Sequence, residues 1–427
     1  MTYNEAIDYI EGLAVFGSQP GFERIDALLD AIGHPEKALK YVHVAGTNGK
    51  GSVCNTTANV LSAAGYKTGL FTSPFVSDFR ERIQVDGEYI PKEDLCRLTE
   101  YVKSVVDELA AKGIQPTEFE VITAIAFLYF KEVQCDVVVL EVGLGGLLDS
   151  TNVIDTPLVS AIVSLSFDHM GVLGNSIEEI TAQKAGIIKD GGVTISAPHQ
   201  PESALHILRT AAYEHENKFI VADPSVVTVL GASILGTRLS YAGVEMTLPL
   251  IGPHQIDNLS VSLCIIEVLR EKGYNISDEA LAAGVGKTTV PARIEVVSQK
   301  PLTIIDGGHN EDGARVLGET LSSFTADKEK TMIIGVMEDK DVDHVLQSLA
   351  PLAKRIITTT PNSPRSMKAE ALAVQASAFC NDVRHADNPC DAYDIAKSLV
   401  TDDECLVVCG SLYLAGDVRQ HILDSLK

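Results

Sequence analysis

From about residue 41 onward, apolar runs of strand length alternate with stretches of helical period. Strands that are apolar on both faces need covering on both faces, so the alternation predicts parallel sheets sandwiched by helices. In the first part, 41–44, 136–140 and 159–165 read as buried strands. A helix over 52–64 stops at Gly65, and another starts at Ser176, with Glu179 three residues on as a capping box. A second run starts near Pro301, with strands at 302–305, 332–336, 355–359 and 406–409. Helices are expected there at 313–324, 342–352, 369–378 and 392–399. This doubly wound pattern is long enough for a domain of its own. The stretch 284–300 has no long periodic segment, so the boundary is placed near 295, which divides the chain into 1–295 and 296–427. The Gly284–Thr289 run looks like the end of a P-loop, but Leu281 stands where the first glycine belongs, and it is read as linker.

The chain's 427 residues are 45% apolar and 22% charged, which excludes a disordered or collagen-like chain. The net charge of -24 repels phosphate backbones and anionic membrane surfaces, so neither nucleic acid nor membrane is expected as a partner. The first ten residues carry acids where a signal peptide needs bases, and the longest apolar run, 121–130, is too short to span a bilayer. A soluble, cytoplasmic protein is expected. Its eight cysteines are scattered without Cys-x-x-Cys pairs and read as reduced, mostly buried thiols.

The strongest chemical signal is Ala45-Gly46-Thr47-Asn48-Gly49-Lys50-Gly51-Ser52, between a strand and a helix. Exposed amides and a helix dipole can cradle phosphate there, Lys50 can neutralise it, and a hydroxyl can stand near Mg2+. The spacing departs from the general P-loop, and the bland alternative is a tight strand-to-helix turn. Glu141 ends an apolar strand where ligands of open α/β sheets gather, which suits a Mg2+ ligand, although many strands end in an acid. Gly143-Leu144-Gly145-Gly146 follows without the later acid of a dinucleotide fold, which disfavours nicotinamide. Asp168-His169 and Asp306-Gly307-Gly308-His309 repeat the placement of polar groups at strand ends, so a cleft between the two domains is the expected site. Lys184 alone would read as a solvated lysine.

The glycine-rich loop, Thr72-Ser73-Pro74, the Glu141–Gly146 run, Asp149–Asn152, Asp168-His169, Gln183–Ile187, His254-Gln255 with Asn258, Pro291 with Arg293, Asp306–Asn310 and Gly410–Tyr413 occur in this order. Together they resemble folylpolyglutamate synthase and dihydrofolate synthase, of the Mur ligase superfamily. The resemblance implies an N-terminal P-loop-type ATPase domain with a parallel sheet and a smaller, C-terminal Rossmann-like α/β domain that serves glutamate ligation. It implies an ATP-dependent amide ligase that makes an acyl phosphate and lets the amine of L-glutamate displace phosphate, with a folate or dihydropteroate as acceptor and Mg2+ as cofactor. A monomer is expected.

Carried over by position, Gly46, Thr47, Asn48, Gly49, Lys50, Gly51 and Ser52 would bind the phosphates. Ser73, Glu141, His169 and Lys184, the last as a carbamate, would bind magnesium. Lys50, Lys184 and His169 would be catalytic. Asn258, Arg293, Asp306 and His309 would contact the nucleotide, and Phe119, Glu120, Leu148, Asp149 and Ser150 the pterin side. The chain departs from the family at Phe75 (usually His), Leu147 (Arg), Ala292 (Gly) and Gly308 (Ala). Two other readings stay open. Another Mur-type ligase would carry a UDP-binding domain ahead of the loop, where this chain has 45 residues. A nucleotide-binding regulator without ligase activity would not need the Ser73, Glu141, His169 and Lys184 set.

Overall fold

The computed structural model describes residues 1–17, 19–338 and 342–426. An eight-stranded sheet is built from β1 (Tyr41–Ala45), β2 (Thr68–Phe71), β3 (Ile83–Val85), β4 (Glu88–Tyr89), β5 (Val137–Glu141), β6 (Val159–Ile162), β7 (Val193–Ser196) and β8 (Lys218–Val221). Its order is β4-β3-β2-β5-β1-β6-β7-β8, and only β3 runs against the other strands. A separate antiparallel sheet follows, made of β9 (Val227–Ser233), β10 (Gly236–Tyr241) and β11 (Val244–Leu248). A six-stranded sheet completes the fold, with β12 (Glu295–Gln299), β13 (Leu302–Ile305), β14 (Lys330–Ile334), β15 (Arg355–Thr359), β16 (Val383–Ala386) and β17 (Cys405–Cys409). Its order is β12-β13-β17-β14-β15-β16, and all its pairs but β12–β13 are parallel.

The helices up to the crossing are α1 (Tyr3–Gly12), α2 (Glu23–Ile32), α3 (Lys50–Ala63), α4 (Lys92–Ala110), α5 (Glu118–Glu132), α6 (Met170–Leu173), α7 (Ile177–Ala185), α8 (Glu202–Glu214), α9 (His254–Glu271) and α10 (Asp278–Gly286). After it come α11 (Glu311–Phe324), α12 (Val342–Leu349), α13 (Ala369–Ala376), α14 (Pro389–Leu399) and α15 (Leu412–Ser425). Successive strand residues face opposite ways, and the cores follow that period. Val137 and Val139 pack under α3 and α9, whereas Val138 and Leu140 pack under α4 and α5. Helix α5 is apolar on all sides because it is covered on all sides, and every residue from Glu120 to Phe130 is buried. In the second sheet, Leu302 and Ile304 face α11 and α12, and Ile305 faces α15.

Only the second half of Gly284–Thr289 is linker. Helix α10 runs to Gly286 and lies on α3, so close that a Cβ on Gly284 would stand 2.4 Å from the Val60 Cα. The chain crosses between the sheets over 287–294, where Ala292 and Ile294 already belong to the second unit's core. The small antiparallel sheet is absent from the sequence reading, although Ala242-Gly243, both at positive φ, form the two-residue turn that joins β10 to β11. Ser176 caps α7 as read, but Glu179 turns its carboxylate to the Asn175 N–H instead of closing the box. All eight cysteines are free thiols, five of them buried. Among the described residues no helix is long and apolar enough to cross a membrane.

Candidate active site

Strands β1, β5 and β6 end side by side, and the loops beyond them form one wall of a cleft of about 880 Å³ whose other wall comes from the second sheet. Gly46 and Gly49 allow the loop after β1 its sharp path. Gly46, at φ 150°, has the Val163 side chain where a Cβ would stand, and Gly49, at φ 90°, has the Asn258 amide oxygen 2.3 Å from that point. The Thr47 N–H donates to the Ser164 carbonyl at 2.8 Å, which fastens the loop to the end of β6. No side chain caps the start of α3, so its first amides face the cleft as donors for an anion.

Lys50, the first residue of α3, folds back and donates to the Gly46 and Thr47 carbonyls, at 3.2 Å each. The buried Lys184 ammonium donates to the same Gly46 carbonyl at 2.8 Å, from behind the loop. Burial first, and Lys50 second, push its pKa down to about 7. Glu141 ends β5 against the first turn of α3 and accepts a hydrogen bond from the Ser73 N–H at 3.3 Å. Burial pushes its pKa up to about 7, against the pull of Lys50 and Arg293. Ser73, Glu141 and His169 all line the cleft; Lys184 does not. Among the described residues no three of His, Cys, Asp and Glu stand ready-assembled as a metal centre.

The second unit meets this wall at several points. The Asp168 carboxylate lies between two imidazoles, 3.9 Å from His169 Nε2 and 3.8 Å from His309 Nε2. The Asn48 side chain donates to Asp312 at 3.1 Å and accepts from the Asn310 amide at 3.3 Å. Asp306 ends β13 and accepts from the Gly308 and Ile294 N–H groups, at 2.9 Å each, which fixes the crossing segment with Arg293 in the cleft. Asn258, Arg293, Asp306 and His309 therefore converge with the residues of 47–52, while Gly46 does not line the cleft. Asp168, Asn310 and Asp312 were not singled out as site residues from sequence, though Asp168-His169 and His309-Asn310 lay in the quoted runs.

The chain matches the Mur ligase middle domain over residues 44–266 and the Mur ligase glutamate ligase domain over 292–412. It is 38% identical to the dihydrofolate synthase/folylpolyglutamate synthase of Bacillus subtilis, over 98% of this chain and 99% of that one. The folylpolyglutamate synthase structure from Thermotoga maritima superposes with a TM-score of 0.86 at 34% identity, covering 100% of this chain and 97% of that chain. The Mycobacterium tuberculosis enzyme complexed with ADP and AMPPCP gives 0.88 at 32%, covering 98% of each. This chain belongs to the folylpolyglutamate synthase/dihydrofolate synthase family.

The five pterin-side positions named for that family do not line the cleft. The Phe119 ring fills the space beside Gly143, where a Cβ would stand 2.4 Å from its Cζ. Glu120 caps its own helix with Thr117 and pairs with Arg24 at 3.0 Å. Asp149 accepts from the Leu144 N–H at 2.8 Å and the Thr151 N–H at 3.0 Å, pinning the loop 143–149. Leu148 is exposed and Ser150 half-buried on that loop's outer side. Of the departures from the family pattern, Phe75 lines the cleft and packs on Phe79 at 5.4 Å, and Leu147 is exposed. Gly308 has the Asp306 carboxylate 2.6 Å from where the usual alanine would place its Cβ, so Asp306 sits closer to the backbone than that alanine would allow.

Proposed function

We propose that this member of the family adds L-glutamate to folates and also to dihydropteroate, with ATP as the energy source. The observation that carries the reading is one cleft lined by the residues of 47–52 and Glu141 from one side and by Arg293, Asp306 and His309 from the other. A carboxylate resists attack by an amine. ATP first transfers its γ-phosphoryl group to the acceptor carboxylate, giving an acyl phosphate and ADP, and the glutamate amine then displaces phosphate to form the amide. The α3 amides and Lys50 hold the moving charge, while Arg293 and His309 orient the nucleotide from the far wall. Holding acceptor carboxylate, γ-phosphate and amine in line supplies the rest of the acceleration. One chain furnishes both walls, so the cleft is complete in a monomer.

The residues present suit Mg2+. Glu141 is a buried carboxylate whose charge burial disfavours, and a hard dication restores that charge. Ser73, Glu141, His169 and a carbamylated Lys184 would hold it, and it would neutralise the β- and γ-phosphate oxygens. With its pKa near 7, the Lys184 amine is in large part neutral, the form that takes up CO2 to give a carbamate and release a proton. Phosphate release tests the function: it should require the folate and glutamate together. Release with ATP alone would favour a plain ATPase.

A further inference from the structure

Arg82 is a buried guanidinium that the reaction above does not use. It ends the 3-10 turn Phe79–Arg82, and it lines the cleft. Its Cζ lies 5.3 Å from the centre of the Phe75 ring and 5.2 Å from that of Phe79. One nitrogen, Nη2, pairs with Glu118 at 3.1 Å, while Nε is sealed from solvent without a hydrogen-bond partner. Glu118 pairs with one nitrogen and Glu11 adds a second acid nearby, yet Nε keeps no partner, and a planar fork of this kind can still match a further carboxylate.

The opposite wall brings a second guanidinium. Arg365 donates from Nη2 to the Tyr413 hydroxyl at 3.4 Å and lies over the ring, 6.0 Å from its centre. Tyr413 also stands within the reach of the Arg82 charge, and all three residues line the same cleft. Besides Glu118, Asp417 and Glu11 share this region. Asp417 is engaged by the Asn362 N–H at 2.7 Å. Glu11, exposed beside Arg82, offers an acceptor that would repel a bare anion but suit a carboxylate with an N–H on its α-carbon. Phosphate has its own donors at the start of α3.

We propose that Arg82, Arg365 and Tyr413 form an interdomain subsite for the α-carboxylate of a glutamyl group. The group is either free L-glutamate or the terminal residue of a folate tail. This rests on the ligase reading, and because the two cations come from opposite walls, filling the subsite draws the walls together.

Steady-state kinetics of Arg82→Gln, Arg365→Gln and Tyr413→Phe, with dihydropteroate and separately tetrahydrofolate as acceptor, test it. If the subsite takes free glutamate, the glutamate KM rises at least ~10-fold with either acceptor in the arginine variants, the loss expected for a charge-assisted hydrogen bond. If it takes the tail, the tetrahydrofolate KM rises by that factor and the dihydropteroate KM, for a substrate without a glutamyl group, does not. In both cases the ATP KM stays within about twofold, less than one such bond is worth. Arg365 and Tyr413 are not buried, so their variants decide the matter should Arg82→Gln fail to fold. Unchanged KM values in Arg365→Gln, or an equal rise in the ATP KM, overturn the subsite. Wild-type enzyme that adds no glutamate overturns the ligase reading itself.

Discussion

Lys50 and Lys184 donate to one carbonyl oxygen, that of Gly46, and their mutual repulsion adds to burial in holding the Lys184 pKa near 7. In the proposed reaction Lys50 would leave that carbonyl for phosphate. Lys50→Ala should therefore keep its circular dichroism spectrum and lose at least ~100-fold in kcat, since a preorganised charge donor contributes about 2.7–4 kcal/mol to the transition state. Near-normal kcat would remove Lys50 from the reaction. A carbamate at Lys184 predicts a carbonyl signal in 13C NMR after incubation with labelled bicarbonate. It also predicts that Lys184→Ala loses activity and regains part of it with short carboxylic acids. Both effects failing would leave Lys184 an ordinary buried amine.

The elements explain why these residues stay where they are. Helix α3, which presents the loop to the cleft, is held from behind by α10, and the contact depends on Gly284 having no side chain. Gly284→Ala forces backbone against backbone at Val60. It should cost about 1–3 kcal/mol in denaturant unfolding, in the range of overpacked cores, and weaken nucleotide binding; an unchanged midpoint would show that the helices can part freely. Strand β1 carries His43, fully buried, with its pKa pushed down to about 3; His254 at the start of α9 is pushed to about 4. The unfolded chain, with histidines near 6.5, binds more protons than the folded one between those values. The stability that these two neutral imidazoles contribute is therefore full above pH 6.5 and is lost as the pH drops toward 4, and thermal melts across that window should show it. His43→Gln should flatten the slope.

The parallel sheets were legible because their strands are apolar on both faces, as at Val137–Glu141 and Cys405–Cys409, and the nucleotide loop was legible because close backbone approach demands its glycines. The small antiparallel sheet was not, since β9 is exposed after Val227 and just Val227, Leu239, Met246 and Leu248 bury a broken apolar stripe. Asp86-Gly87 and Ala242-Gly243 were the available signs of hairpins. Gly284 was misread because a glycine that permits helix contact looks in sequence like one that breaks a helix. Sequence separation hid the contacts of Asn48 with Asn310 and Asp312, which lie 262 and 264 residues away.

At the scale of the whole molecule, the cleft is a joint product of two sheets joined by the segment 287–294, the Asn48 contacts, the Asp168–His309 pair, and Val76 and Ile251, which pack into the second unit's cores. Arg293→Ala should therefore raise the Kd for AMPPCP at least ~10-fold by calorimetry, the worth of one charge-assisted bond. Wild-type affinity would confine nucleotide recognition to the first wall. The central claim is that this cleft joins a carboxylate to glutamate at the expense of ATP. Product analysis by mass spectrometry, after incubating the purified protein with Mg-ATP, L-glutamate and either tetrahydrofolate or dihydropteroate, tests it most directly. The account predicts an acceptor extended by a glutamyl residue, with one ADP and one phosphate formed for each amide bond. ATP turnover that leaves both acceptors unextended would contradict it.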